Sequence, residues 1–210
     1  MNSNYKVIKF RSNNSKEVND QISIEEPLQI ILKYKDKENW IENTISITMR
    51  TPGDDEDLVA GFLFNERVIE KINHIENIEA SGEAVGQYKL QNKVIVTINN
   101  SENIDIDKIK RNFLTNSSCG VCGKTSLESL EIIKKDKILK SIPKIPHEII
   151  MKSPDILRKN QSEFSKTGGI HASGLFNENG EIIALKEDVG RHNALDKLIG
   201  FVLKYLEISL

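Results

Sequence analysis

Apolar and polar positions alternate along much of the chain. Leu28, Ile30, Leu32 and Tyr34 recur at every second residue, as do Ile45, Ile47 and Met49, and the polar run Asp36-Lys37-Glu38-Asn39 separates the two. A period of two puts such residues on one face of a strand, so these runs predict a β-hairpin. Tyr88 and Leu90, then Val94, Val96 and Ile98, repeat the pattern around Gln91-Asn92-Lys93, which predicts a second hairpin turning at that triplet. Between the hairpins a helix is expected. Thr51 offers a capping hydroxyl, Pro52 suits the first helical position, and Asp54 to Asp57 bring negative charge to the positive helix end. Leu58, Val59, Phe62 and Leu63 then share one face.

Further along, a short helix is expected around Ile106 to Phe113. Leu127, Leu130 and Ile133 share a helical face, and a stretch punctuated by Pro143, Pro146 and Pro154 carries one or two more helices. Ile170 to Phe176 alternates, Glu178-Asn179-Gly180 turns the chain, and Ile182 to Leu185 reads as a buried strand. Leu195, Leu198, Ile199, Val202, Leu203 and Leu206 stripe a last helix. Residues 1–20, rich in Asn, Ser and Lys, read as a flexible lead-in with a short strand at Tyr5 to Phe10. The expected organisation is that lead-in, an N-terminal α/β domain over 21–115, and a second domain over 116–210, with mixed α/β sheets covered by helices.

At 210 residues the chain can bury one good core or two small ones. Its 29 Lys and Arg face 31 Asp and Glu, so no general field draws in nucleic acid or an anionic membrane, and a polyanionic ligand must be held locally. The polar N-terminus contains no apolar run of the kind that forms a signal or a membrane span, which makes the cytoplasm the expected location. Only two cysteines are present, Cys119 and Cys122. In a reducing compartment such a pair points to reactive thiols or metal ligands before a structural disulfide.

Gly120 and Gly123, one after each cysteine, let the loop swing, Lys124 adds positive charge, and a helix is expected to follow. The lysine charge and the helix dipole each favour a thiolate, the species that attacks another protein's persulfide. Spacing alone leaves other roles open. The pair supplies at most two zinc ligands, the rest coming from the four histidines. It also fits a dithiol redox couple, although the thioredoxin context is lacking, or two inert buried cysteines.

Two further segments carry candidate chemistry. In Thr167-Gly168-Gly169-Ile170-His171-Ala172-Ser173, paired glycines before a strand allow close backbone approach to a ligand, and the hydroxyls add donors. The bland alternative is a tight turn with His171 bonded to a nearby carbonyl. In Lys186-Glu187-Asp188-Val189-Gly190-Arg191-His192-Asn193, a strand opens into a helix, where backbone N–H groups face outward. There Arg191 can clamp a phosphate, His192 can donate a proton, and Asp188 can orient either. The alternative is a capped helix with a surface ion pair. Zinc nucleoside deaminase chemistry is disfavoured, because Ser173 stands where His-x-Glu needs its glutamate and the CxxC comes earlier, without a preceding proline.

Glu26-Pro27-Leu28, Thr48-Met49-Arg50-Thr51-Pro52-Gly53-Asp54-Asp55 with Gly61-Phe62-Leu63, Ser118-Cys119-Gly120-Val121-Cys122-Gly123-Lys124, Thr167 to Ala172, and Glu187 to Lys197 resemble, in that order, the motifs of the FdhD family. These are the accessory sulfurtransferases of formate dehydrogenase. The resemblance implies a cytidine-deaminase-like fold without deaminase activity, a homodimer, and a sulfur relay. A cysteine desulfurase would load Cys119, with Cys122 as helper, and the sulfur would pass to the molybdenum of a bis(molybdopterin guanine dinucleotide) cofactor before its insertion into formate dehydrogenase. It further implies a cofactor pocket drawn from Thr167, Gly168, Gly169, His171, Arg191 and His192. Members of that family run on past the Asp-Val-Gly-Arg-His helix to a stretch that helps bind the guanine nucleotide, whereas this sequence ends at Leu210. Weak cofactor binding, or none, is therefore expected. The rival reading is a non-catalytic chaperone that holds the cofactor, with a redox or zinc-binding CxxC.

Overall fold

A computed structural model describes residues 2–12, 14–86, 88–99 and 144–206. The CxxC pair, and the helices expected around Ile106 to Phe113 and through Leu127, Leu130 and Ile133, lie outside the described residues.

Asn2–Arg11 (β1) and Asn14–Ser23 (β2) form an antiparallel hairpin of their own. The lead-in expected to be loose is thus paired along its length. Val7 faces Val18 across the ladder, and Lys9 reaches Asp20 at 3.0 Å. Its base is tied to the body, where Asn2 Nδ2 donates to Glu163 at 3.2 Å.

Strands β3 (Glu26–Asp36), β4 (Asn39–Arg50), β5 (Ile75–Val85) and β6 (Leu90–Ile98) make a four-stranded sheet in the order β4-β3-β6-β5. Only the central β3–β6 pair is parallel. The first hairpin turns where its polar segment predicted. Leu28, Ile30, Leu32 and Tyr34 are buried on one face and meet Val94, Val96 and Ile98 beneath the helix Asp55–Asn65 (α1). The second hairpin differs from expectation, because Gln91-Asn92-Lys93 lies inside β6 and the turn falls at 86–89. Gly86 and Lys89 adopt positive φ there. The triplet's polarity is absorbed laterally instead, with Gln91 Nε2 donating to the Gly82 carbonyl at 2.9 Å and Asn92 meeting Glu26 and Arg50.

Helix α1 starts later than Thr51-Pro52 suggested. Gly53 at φ 109° and Asp54 at φ 55° cannot continue a right-handed helix, so Thr51 to Asp54 form a loop and the helix begins at Asp55. Its acidic first turn, Asp55, Glu56 and Asp57, keeps the expected place at the positive end.

The second half contributes helices His147–Asn160 (α2), Ser162–Thr167 (α3) and Arg191–Tyr205 (α4), and the hairpin of His171–Phe176 (β7) with Ile182–Asp188 (β8). The mixed α/β class therefore holds. Among the described residues no helix is long and apolar enough to cross a membrane.

The two halves meet where α1 packs on α4. A Cβ on Gly61 would lie 1.8 Å from the Asp196 carbonyl oxygen, and one on Gly200 would lie 1.9 Å from that of Asp57. Two reciprocal glycines thus bring the helix backbones together, and Lys204 at the end of α4 reaches Glu56 at 2.9 Å and Asp57 at 3.1 Å. Burial works against the Lys204 charge, but these two carboxylates outweigh it and hold its pKa above the ordinary lysine value.

Gly61→Ala or Gly200→Ala should destabilise the chain by about 3 kcal/mol or more in denaturant unfolding, because neither helix backbone can yield. Gly169→Ala, whose Cβ meets nothing nearer than 4.0 Å, should change stability by less than about 1 kcal/mol.

Candidate functional site

Strand β8 ends on Asp188, which is fully buried, and α4 begins at Arg191 after Val189-Gly190. A carboxylate so far from water must be neutralised and hydrogen-bonded. Its Oδ2 lies 2.7 Å from Nζ of Lys197, a residue only 1% exposed, and accepts the Thr51 N–H at 3.0 Å. Oδ1 accepts the Gly190 N–H at 2.8 Å and Asn193 Nδ2–H at 3.2 Å. Lys197 also donates to the Thr51 carbonyl at 2.7 Å, and the Thr51 hydroxyl accepts the Val189 N–H at 3.0 Å. Asn193 completes the link by donating to the Met49 carbonyl at 2.7 Å.

Thr48 to Thr51 and Asp188 to Lys197 are therefore one network, although well over a hundred residues separate them in the chain. Asp188 was expected to orient Arg191 or His192, or to sit in a surface ion pair. Instead its acceptors are used by Thr51, Gly190, Asn193 and Lys197 in a buried one. A Cβ on Gly190 would approach Asn193 Nδ2 to 2.9 Å, so a side chain there would push the Asn193 amide from its bonds to Asp188 and Met49.

Next to this network, Arg50 is 1% exposed and grips Asp55 through both carboxylate oxygens at 2.9 and 2.8 Å. It also donates to the Glu26 carbonyl at 3.3 Å. Lys186 bonds Asp57 at 2.9 Å and Asp54 at 3.1 Å. Burial opposes its charge, yet the two carboxylates win and raise its pKa. A groove of about 290 Å³ opens between Thr51 to Asp54, Ser162-Glu163 and Lys186-Glu187. None of the residues expected to bind cofactor lines it, and its two lysines already have partners.

The glycine-rich segment follows α3. Thr167 ends that helix, its hydroxyl donating to the Glu163 carbonyl and accepting from Ser23, both at 2.9 Å. Gly168 adopts φ 69° and donates its N–H to the Phe164 carbonyl at 2.8 Å, the left-handed helix end that glycine permits. His171 then pairs with Asp188 in the β7–β8 ladder. The structure thus brings Thr167 to His171 to the same end of the hairpin from which Arg191 and His192 emerge.

Of the six residues in that group, Thr167 has its hydroxyl engaged internally. Gly168, Gly169, His171, Arg191 and His192 are exposed, and no hydrogen bond or ion pair joins the three charged or imidazole side chains to other described residues. A free guanidinium and imidazole at the start of a 15-residue helix, beside two bare glycines, form a surface suited to phosphate-like anions. The donor set fits the phosphate-bearing end of a dinucleotide cofactor. Cys119 and Cys122 lie outside the described residues, so their distance from this corner is not part of the geometry.

Sequence reasoning missed the Thr51, Asn193 and Lys197 contacts with Asp188. The available signal was Lys197 itself, a lysine on the buried face of α4 between Ala194 and Leu198. Such a position demands a buried partner.

Residues 23–207 match the model of the FdhD/NarQ family. The chain belongs to that family. It is 46% identical over 184 residues to the sulfur carrier protein FdhD of Picrophilus torridus, covering 87% of this chain and 64% of that protein. The proteins of the same name from Saccharolobus solfataricus and Streptomyces coelicolor are 38% and 39% identical, over 95% and 98% of this chain and 68% and 71% of their own lengths. This chain thus spans about two thirds of the family proteins it matches. Among solved structures, a putative formate dehydrogenase accessory protein from Desulfotalea psychrophila superposes with a TM-score of 0.64 at 25% identity, over 96% of this chain and 69% of that one.

Lys197→Met leaves the Asp188 carboxylate buried without a counter-ion and should cost about 3 to 5 kcal/mol in chemical unfolding. The double variant with Asp188→Asn should recover much of that loss, and no recovery would contradict the pairing. Asp196 gives a pH test. Burial first, then the negative charges of Glu66 and Asp188, push its pKa up to about 6, while the Asn65 hydrogen bond opposes them. The folded protein therefore holds this proton where the unfolded chain has lost it, and stability should fall as pH rises from about 4 to about 6. Asp196→Asn should flatten that slope and add roughly 1 to 3 kcal/mol at pH 7.5, with no gain below about pH 4.

Proposed function

We propose that the protein is a sulfur carrier serving formate dehydrogenase, with Cys119 as the persulfide-bearing residue and Cys122 as its helper. Membership of a family whose relatives carry the name sulfur carrier protein, one of them 46% identical, is the observation that carries this reading. The cysteine pair with its two glycines and Lys124 supplies the chemistry.

The Cys119 thiolate attacks the outer sulfur of a cysteine desulfurase persulfide. That S–S bond breaks, the desulfurase thiolate leaves, and a new S–S bond forms on Cys119, with no oxidant consumed. In delivery, the Cys122 thiolate attacks the inner sulfur of Cys119 and releases the outer one as sulfide. Oxidation of the cysteine sulfurs to the Cys119–Cys122 disulfide supplies the two electrons that release sulfide, and a cellular thiol reductant then reduces that disulfide. The client is the molybdenum bis(molybdopterin guanine dinucleotide) cofactor. Its anionic groups would be held by the exposed Gly168, Gly169, His171, Arg191 and His192 surface, with Thr167 shaping the turn. The protein would act in the cytoplasm as a homodimer.

Incubation with a cysteine desulfurase and cysteine should add one sulfur atom to the intact mass, and Cys119→Ala should abolish the gain. Bound zinc, or a bare disulfide with no sulfur uptake, would favour the cofactor-holding chaperone instead.

A further inference from the structure

Glu187 performs a task that neither its position in strand β8 nor its charge suggests. Helix α3 has six residues, and no side chain of its own caps it. The Glu187 carboxylate does so from the neighbouring strand. Oε1 accepts the Phe164 N–H at 2.9 Å, and Oε2 accepts the Glu163 N–H at 3.0 Å and the Ser162 hydroxyl at 3.3 Å. Both oxygens face the free N–H groups at the positive end of the helix, where a carboxylate is most favourable.

The other end of α3 is the Thr167-Gly168-Gly169 turn, and a helix of six residues, fewer than two turns, is too short to flex between its ends. After that turn the chain enters β7, where Ala172 pairs with Glu187 and His171 with Asp188. The segment 162–172 is therefore a closed circuit. It leaves strand β8 through the Glu187 side chain and returns to it through the Glu187 and Asp188 backbone. Three residues beyond Asp188, Arg191 and His192 begin α4.

We infer that Glu187 is a positioning residue that holds the Thr167-Gly168-Gly169 turn in register with the Arg191-His192 corner. This rests on the reading of that corner as the ligand-holding surface. It adds that the surface is aligned by a carboxylate which touches none of the expected ligand residues directly. Ser23, bonded to the Thr167 hydroxyl, is a secondary tether, since it restrains one atom and leaves the helix uncapped if the carboxylate is removed.

The test compares the full chain with Glu187→Ala and Glu187→Gln. Amide hydrogen exchange over residues 163–170 should quicken about tenfold or more in Glu187→Ala, with α1 and α4 unchanged. Glu187→Gln, which keeps one acceptor oxygen, should fall between. Calorimetric affinity for GDP should decline in the same order, while desulfurase-dependent sulfur loading of Cys119 stays at the wild-type level. Unchanged exchange over 163–170 in Glu187→Ala overturns the inference. So does an increase spread equally over α1 and α4, or a Glu187→Gln variant no better than Glu187→Ala. A wild-type chain that takes up no sulfur overturns the proposed function, whereas the exchange series, which needs no ligand, still decides the role of Glu187.

Discussion

The 2.7 Å contact between Lys197 and Asp188 takes place almost out of reach of water. Removing both charges from solvent is costly, and their attraction offsets that cost only when the remaining donors and acceptors are also satisfied. Here Gly190 and Asn193 serve one carboxylate oxygen of Asp188, and Thr51 serves both partners. Its N–H goes to Asp188, its carbonyl to Lys197 and its hydroxyl to the Val189 N–H. One residue at the end of β4 is thereby bound to both members of the pair. The end of the first sheet, the end of β8 and the first turns of α4 have few ways to shift independently. Removing either partner alone would leave the other charged and buried, so the pair ties these elements together.

That arrangement requires α1 and α4 to pack with their backbones nearly touching. Gly61 and Gly200 make the approach possible, each lying against a carbonyl of the opposite helix. The carbonyl over Gly61 belongs to Asp196, next in sequence to Lys197, so the close approach of the helices and the depth of the ion pair are linked. Lys186 and Lys204 reach the acidic first turn of α1 along the same seam. Here the cations of the second half meet the negative charge that already suited the start of α1.

A division of labour among polar groups follows. Arg50, Thr51, Asp57, Asp188, Asn193 and Lys197 are buried and bonded within the protein. Glu187 and Thr167 are engaged in holding a turn. Gly168, Gly169, His171, Arg191 and His192 remain exposed around one end of β7 and β8. The same motif that reads as a single functional block, Glu187 to Lys197, thus contains a cap, a buried ion pair and two outward donors. Family resemblance points to the block, and only bonding partners separate its members into framework and surface.

The alternation of Leu28 to Tyr34, Ile45 to Met49 and Ile170 to Leu185, and the stripe from Leu195 onward, by themselves determined two hairpins and the last helix. Those signals are local, since a residue's face is set by its neighbours two to four positions away. The motifs likewise marked the family and the corner where a ligand is expected. Tertiary structure decided the rest. A parallel β3–β6 pairing, a turn at 86–89 instead of at Gln91-Asn92-Lys93, a paired β1–β2 arm and a late start to α1 all depend on what a segment meets across the fold. So do the partners of Asp188, the burial of Lys197 and the capping of α3 by Glu187. A charged side chain carries the same information in any sequence window. Whether it faces water, an ion partner or a helix end is settled only when distant backbone closes around it.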